Sequence, residues 1–148
     1  MKKGGKNKNA EKVEKKKNVY EEDEDDQSKS LRKQLLIVED EDSNFDDILS
    51  LLDSDESKIR SMAIERLRES RIQDEESFWD KMFEMVKDTS AEVRLQVLLA
   101  ISEGAEESME PRLTEALESF NRDKDGDIKR KAHKIIASYS RTGKLNVL

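Results

Sequence analysis

The sequence predicts an all-α fold: a short α-solenoid of three stacked antiparallel helix pairs behind a disordered N-terminal tail. Three observations carry this. Apolar quartets with helical spacing recur along the chain. No glycine lies between Gly5 and Gly104, leaving little of the turn punctuation that a sheet protein needs. Hydrophobic residues are only 34% and charged residues 43% of the 148-residue chain, a balance that suits solvated helices and a charged tail better than a large core.

Residues 1–30 contain almost no aliphatic side chains, so they cannot bury enough apolar surface to offset the entropy of ordering. Lysines cluster up to Lys17, and an acidic block follows from Glu21 to Asp26. The expected role is a solubilising tail, with Lys15, Lys16 and Lys17 as a weak import or phosphate-contacting signal. Residues 31–42 read as a linker or a short helix. Residues 43–148 form the repeat domain.

Phe45, Ile48, Leu49 and Leu52 fall at i, i+3, i+4 and i+7, one face of a helix. Trp79, Met82, Phe83 and Val86 repeat that set 34 residues on, and Leu113, Ala116, Leu117 and Phe120 repeat it after 34 more. Each quartet precedes a second stripe: Ile59, Ala63 and Leu67; Val93, Val97 and Ile101; Ile128, Ala132 and Ile136. Ile64, Leu98, Leu99 and Ile135 widen the second stripes, which points to helices covered on more than one side. The predicted repeats are about 43–71, 74–104 and 107–142, near the minimum that can bury a shared core.

Boundary residues fit this division. Ser43 is expected to cap the first helix, and Asp74 the third. Pro111 suits a first helical turn. Gly104 and Gly143 are placed to end second helices with left-handed residues. Trp79 holds a core position of its quartet, so its neighbour Phe78 is expected to be partly exposed, against residues 31–38. His133 stands in the register of Ile64 and Leu98 and is expected to be half-buried.

The turns and openings of the second helices read DSDESKIRSMAIERL, KDTSAEVRLQVLLAI and RDKDGDIKRKAHKII. In these, Ile59-Arg60, Val93-Arg94 and Ile128-Lys129 are followed four positions after the aliphatic residue by Ala63, Val97 and Ala132. This pattern resembles the short form of the HEAT-repeat family over roughly residues 43–140. The resemblance implies an acid–base ladder between turns, built on Asp88 with Arg94 and Asp123 with Lys129. The first repeat departs from it, because Ser54 fills the aspartate slot between Asp53 and Asp55.

Other chemistries find little to work with. The chain has no cysteine and one histidine, which removes thiolate nucleophiles, disulfides and multi-histidine metal sites. Residues 35–52 mimic the opening of a receiver domain, but no strand follows. Residues 121–132 mimic an EF-hand loop, with Asn121, Asp123, Asp125 and Gly126 in place. Its twelfth position, which should be a bidentate glutamate, is Ala132. No apolar run reaches the roughly 18–20 residues of a membrane span. The chain is therefore expected to be non-catalytic, without cofactor or metal, and cytoplasmic with the nucleus as the alternative.

The expected function is a scaffold that binds a protein partner through the surface of its second helices, the face that solenoids commonly use. The candidate partner-binding residues are Arg60, Arg94, Lys129, Arg130, Lys131, Lys134 and Arg141. The alternative is nucleic-acid binding by the basic last helix and the tail lysines. The net charge of −7 opposes indiscriminate contact with phosphates.

Overall fold

The structure is a computed structural model that describes residues 25–70 and 75–148. Lys15, Lys16, Lys17 and Asp74 lie outside the described residues. Among those described, the chain is all helical, with seven α-helices and three short 3-10 turns and no strand. The chain divides into two units between Leu36 and Ile37.

Helix α1, Asp26–Glu39, spans that division. Its start lies inside the segment expected to be disordered, and a local device accounts for it. The Asp25 carboxylate accepts the Ser28 backbone N–H at 2.7 Å, capping the first turn, and this bond holds the Asp25 carboxyl below its ordinary range. Within the first unit Leu36 is 66% exposed.

In the second unit, α2 covers Phe45–Ser50 and runs into a 3-10 turn, Leu51–Asp53; α3 covers Ser57–Glu69. Next come α4, Glu76–Glu84, with the 3-10 turn Met85–Lys87, and α5, Ala91–Gly104. Helix α6 is Arg112–Asn121 and α7 is Gly126–Thr142. Within each pair α2 packs on α3, α4 on α5 and α6 on α7; α3 also packs on α5, and α5 on α7. The apolar register explains this pattern. Ile59, Ala63, Ile64 and Leu67 of α3 are all buried, as are Val93, Val97, Leu98, Ala100 and Ile101 of α5. Burial of one such aliphatic side chain stabilises by about 1.5–3 kcal/mol, so these two helices carry much of the core.

Several boundaries differ from expectation. Asn44, not Ser43, caps α2: its side-chain oxygen accepts the Asp47 N–H at 2.8 Å. Ser43 instead donates its hydroxyl to the Ile37 carbonyl at 2.6 Å, tying the end of α1 to the residue before the α2 cap. Pro111 sits one position before α6. Gly143 ends α7 with φ 75°, a left-handed residue that glycine adopts without a Cβ clash. Gly104 remains inside α5, and Ala105 leaves the helix in an extended conformation.

Three packing expectations are corrected. Phe78 is fully buried along with Trp79, their rings meeting edge to face at 5.1 Å, so adjacent positions at the opening of α4 both reach apolar surroundings. His133 is exposed despite its register: α3 and α5 are each followed by a further second helix that packs on them, and no described helix follows α7. In α7, Ile135 is buried while Ile136 is half-buried, which rotates that stripe by one residue. The last residues fold back: the buried Ser102 hydroxyl donates to the Leu145 carbonyl at 2.9 Å, and Leu145 itself is buried.

Candidate functional site

The geometry of the second helices starts from their turns. Arg60, in the first turn of α3, donates Nη1 to the Ser54 carbonyl of its own turn at 2.8 Å. Its Nε and Nη2 fork onto the Asp88 carboxylate of the next turn, both at 2.9 Å. Arg94 repeats the arrangement in α5. It donates Nη1 to the Asp88 carbonyl at 2.9 Å and forks onto Asp123 at 2.8 and 3.1 Å. Each aspartate is held from behind, since Asp88 Oδ1 accepts the Ser90 N–H and Asp123 Oδ1 the Asp125 N–H. Two-point forks of this kind fix orientation as well as distance.

Both pairs lie largely out of water: side-chain exposure is 13% and 10% for Arg60 and Asp88, and 8% and 6% for Arg94 and Asp123. Burial alone would raise the Asp123 carboxyl, but the Arg94 guanidinium and the Asp125 N–H outweigh it and hold it below the ordinary value. Ladder residues were visible in the sequence, but their pairing differs from the expected one. Arg94 reaches its own Asp88 only through the carbonyl, and its carboxylate partner is Asp123. In the first repeat, Ser54 supplies the carbonyl, and its hydroxyl accepts the Glu56 N–H at 3.1 Å, as an aspartate would.

Two of the candidate partner-binding residues, Arg60 and Arg94, are thus engaged between repeats. The other five lie on α7. Lys131 is half-buried and donates to Asp127 at 2.9 Å, which lowers the Asp127 carboxyl; Arg130 stands 3.9 Å from the same group. Lys129, Lys134 and Arg141 are exposed and form no ion pair among the described residues. Between Ile128 and Thr142 the helix contains no acidic residue. At 100° per residue, Lys129, Arg130, His133, Lys134 and Arg141 share one arc, opposite buried Ile128, Ala132 and Ile135.

Further cross-links escaped the sequence reading. Arg68 of α3 donates to Gln96 at 2.6 Å and to both oxygens of Glu103 on α5, and the Glu103 bond raises its guanidinium above the ordinary range. Lys81 reaches Asp53, and Arg112 pairs with Asp80 at 3.0 Å while lying over the Phe83 ring. Tyr139 donates its hydroxyl to Glu110 at 2.8 Å. That partner, aided by partial burial, pushes the phenol up to about 12. The only signal for this last pair is its separation of 29 residues, the same as Arg94 to Asp123.

The residues that mimic a calcium loop are engaged elsewhere: Asp123 with Arg94, and Asp125 as the cap of α7, accepting Asp127 and Ile128 N–H groups. Among the described residues no group of three or more acidic or histidine side chains converges as a metal site would, and no helix is long and apolar enough to cross a membrane. No family model, no curated protein and no solved structure matches this chain.

Proposed function

We propose that the chain is a short HEAT-like α-solenoid that acts as a non-catalytic scaffold, binding a protein partner through the surface of its second helices. The observation that carries this reading is the repetition of one ion-pair device in consecutive turns. An arginine at the same position of α3 and α5 takes the carbonyl of its own turn and the carboxylate of the next. Such a device fixes the spacing of successive pairs, so the helices serve as a rigid support for exposed side chains. The serial packing of α3, α5 and α7 fits the same reading.

Affinity capture from a native lysate, with the full chain as bait and with and without nuclease, tests it. Protein partners that survive nuclease support the scaffold. Capture that vanishes with nuclease would overturn it in favour of nucleic-acid binding.

A further inference from the structure

Resting on the scaffold reading, we infer that the outer face of α7 is a docking strip for an acidic protein segment, with Lys129 receiving a carboxylate at the register where Arg60 and Arg94 receive theirs. Arg60, Arg94 and Lys129 follow Ile59, Val93 and Ile128 in the three repeats. The first two cations are matched by Asp88 and Asp123 of the succeeding turn. Lys129 has the same place, is exposed, and meets no carboxylate among the described residues. Next to it His133 fills the register of Ile64 and Leu98, which are fully buried in α3 and α5, whereas His133 is exposed. This face of α7 therefore keeps the cation of the earlier helices at Lys129 and carries a polar group at His133, where they carry Ile64 and Leu98.

Charge and dimension select the occupant. From Lys129 to Arg141 the strip runs about 18 Å at 1.5 Å per residue, roughly 10 Å wide, the footprint of one helix or strand. It holds Lys129, Arg130, Lys134 and Arg141 with no acidic residue between them. Helix α6, which packs on α7, exposes Glu115 and Glu118, and Glu106 and Glu107 ahead of it are exposed as well. These carboxylates and the net charge of −7 disfavour an extended phosphate backbone, whereas a short acidic element needs only the strip itself. A second copy docking by its own first repeat fits less well. There the Arg66 guanidinium already donates to the Val38 and Asp40 carbonyls, and the exposed Glu65 and Glu69 on α3 are only two carboxylates for four cations.

The test uses the full chain, a fluorescein-labelled acidic peptide of Glu, Asp and Ala, and a single-stranded oligonucleotide of equal charge. Fluorescence anisotropy is read for the wild type, for the charge reversal K129E/K134E/R141E, and for the neutral K129Q/K134Q/R141Q. All three positions are exposed, and circular dichroism reports whether each variant remains helical. The inference expects the peptide to bind, the neutral variant to weaken it at least about tenfold and the reversal to abolish it. A helical wild type that ignores the peptide, helical variants that bind it undiminished, or tighter binding of the oligonucleotide would each overturn it. If nuclease-resistant partners were captured equally by wild type and reversal, the docking strip would fail while the scaffold stood.

Discussion

Arg94 joins two turns at once: Nη1 takes the Asp88 carbonyl six residues back, and Nε and Nη2 fork onto Asp123 at 2.8 and 3.1 Å. The pair is almost wholly out of water, so removing one partner leaves the other buried and uncompensated. Arg94→Ala and Asp123→Ala should each destabilise by about 3–5 kcal/mol. Glu103→Ala, at a pair whose carboxylate is 38% exposed, should cost less than about 1 kcal/mol. Urea unfolding of the three variants, with the Arg94–Asp123 double mutant to close the cycle, measures the difference.

Acid should weaken the same joint. The Asp123 carboxyl in the folded chain lies below its ordinary value, so the folded state favours the ionised form. Its contribution is present above the unfolded-state value, about 3.9, and is lost as pH falls through the lower folded value. Urea midpoints of the wild type should therefore fall more steeply below about pH 4 than those of Asp123→Asn, which has already lost the charge. Parallel curves would show that Asp123 is not a source of the acid sensitivity.

Tyr139 gives an alkaline readout. Its phenol is pushed up to about 12 by the Glu110 carboxylate that it donates to. Glu110→Gln removes the negative neighbour, and the phenol should return toward the ordinary value of about 10. Ultraviolet titration of phenolate at about 295 nm, compared between the wild type and Glu110→Gln, follows this.

The final residues close over α5. Leu145 is 7% exposed and accepts from buried Ser102, whereas Leu148 is 44% exposed. Leu145→Ala should cost about 2 kcal/mol and Leu148→Ala close to nothing. Thermal melts of the two variants compare them directly.

The helical periods were legible because burial enforces them: the quartet headed by Leu113 is buried throughout, and so are the stripes headed by Ile59 and Val93. The recurrence of Arg60 and Arg94 in register was legible too, but it suggests a partner-binding surface, whereas both link successive turns. Their partners were not fully legible. A guanidinium can choose between its own turn and the next, and only the packing of α3 on α5 and α5 on α7 decides that choice. His133 and Phe78 misled for a related reason. Register gives the direction a side chain faces, but its exposure depends on which neighbouring helix arrives there. The cap at Asn44 was missed because Ser43 next to it has equal chemistry, and the Ile37 carbonyl takes the serine hydroxyl.

Consecutive helix pairs that share faces should unfold as one cooperative core. Thermal unfolding of a chain lacking residues 107–148, followed by circular dichroism beside the full chain, measures this. Without α6 and α7, Arg94 loses Asp123 and α5 loses the helix that packs on it. Most of the stability and the cooperative transition should disappear. An unchanged midpoint would contradict this.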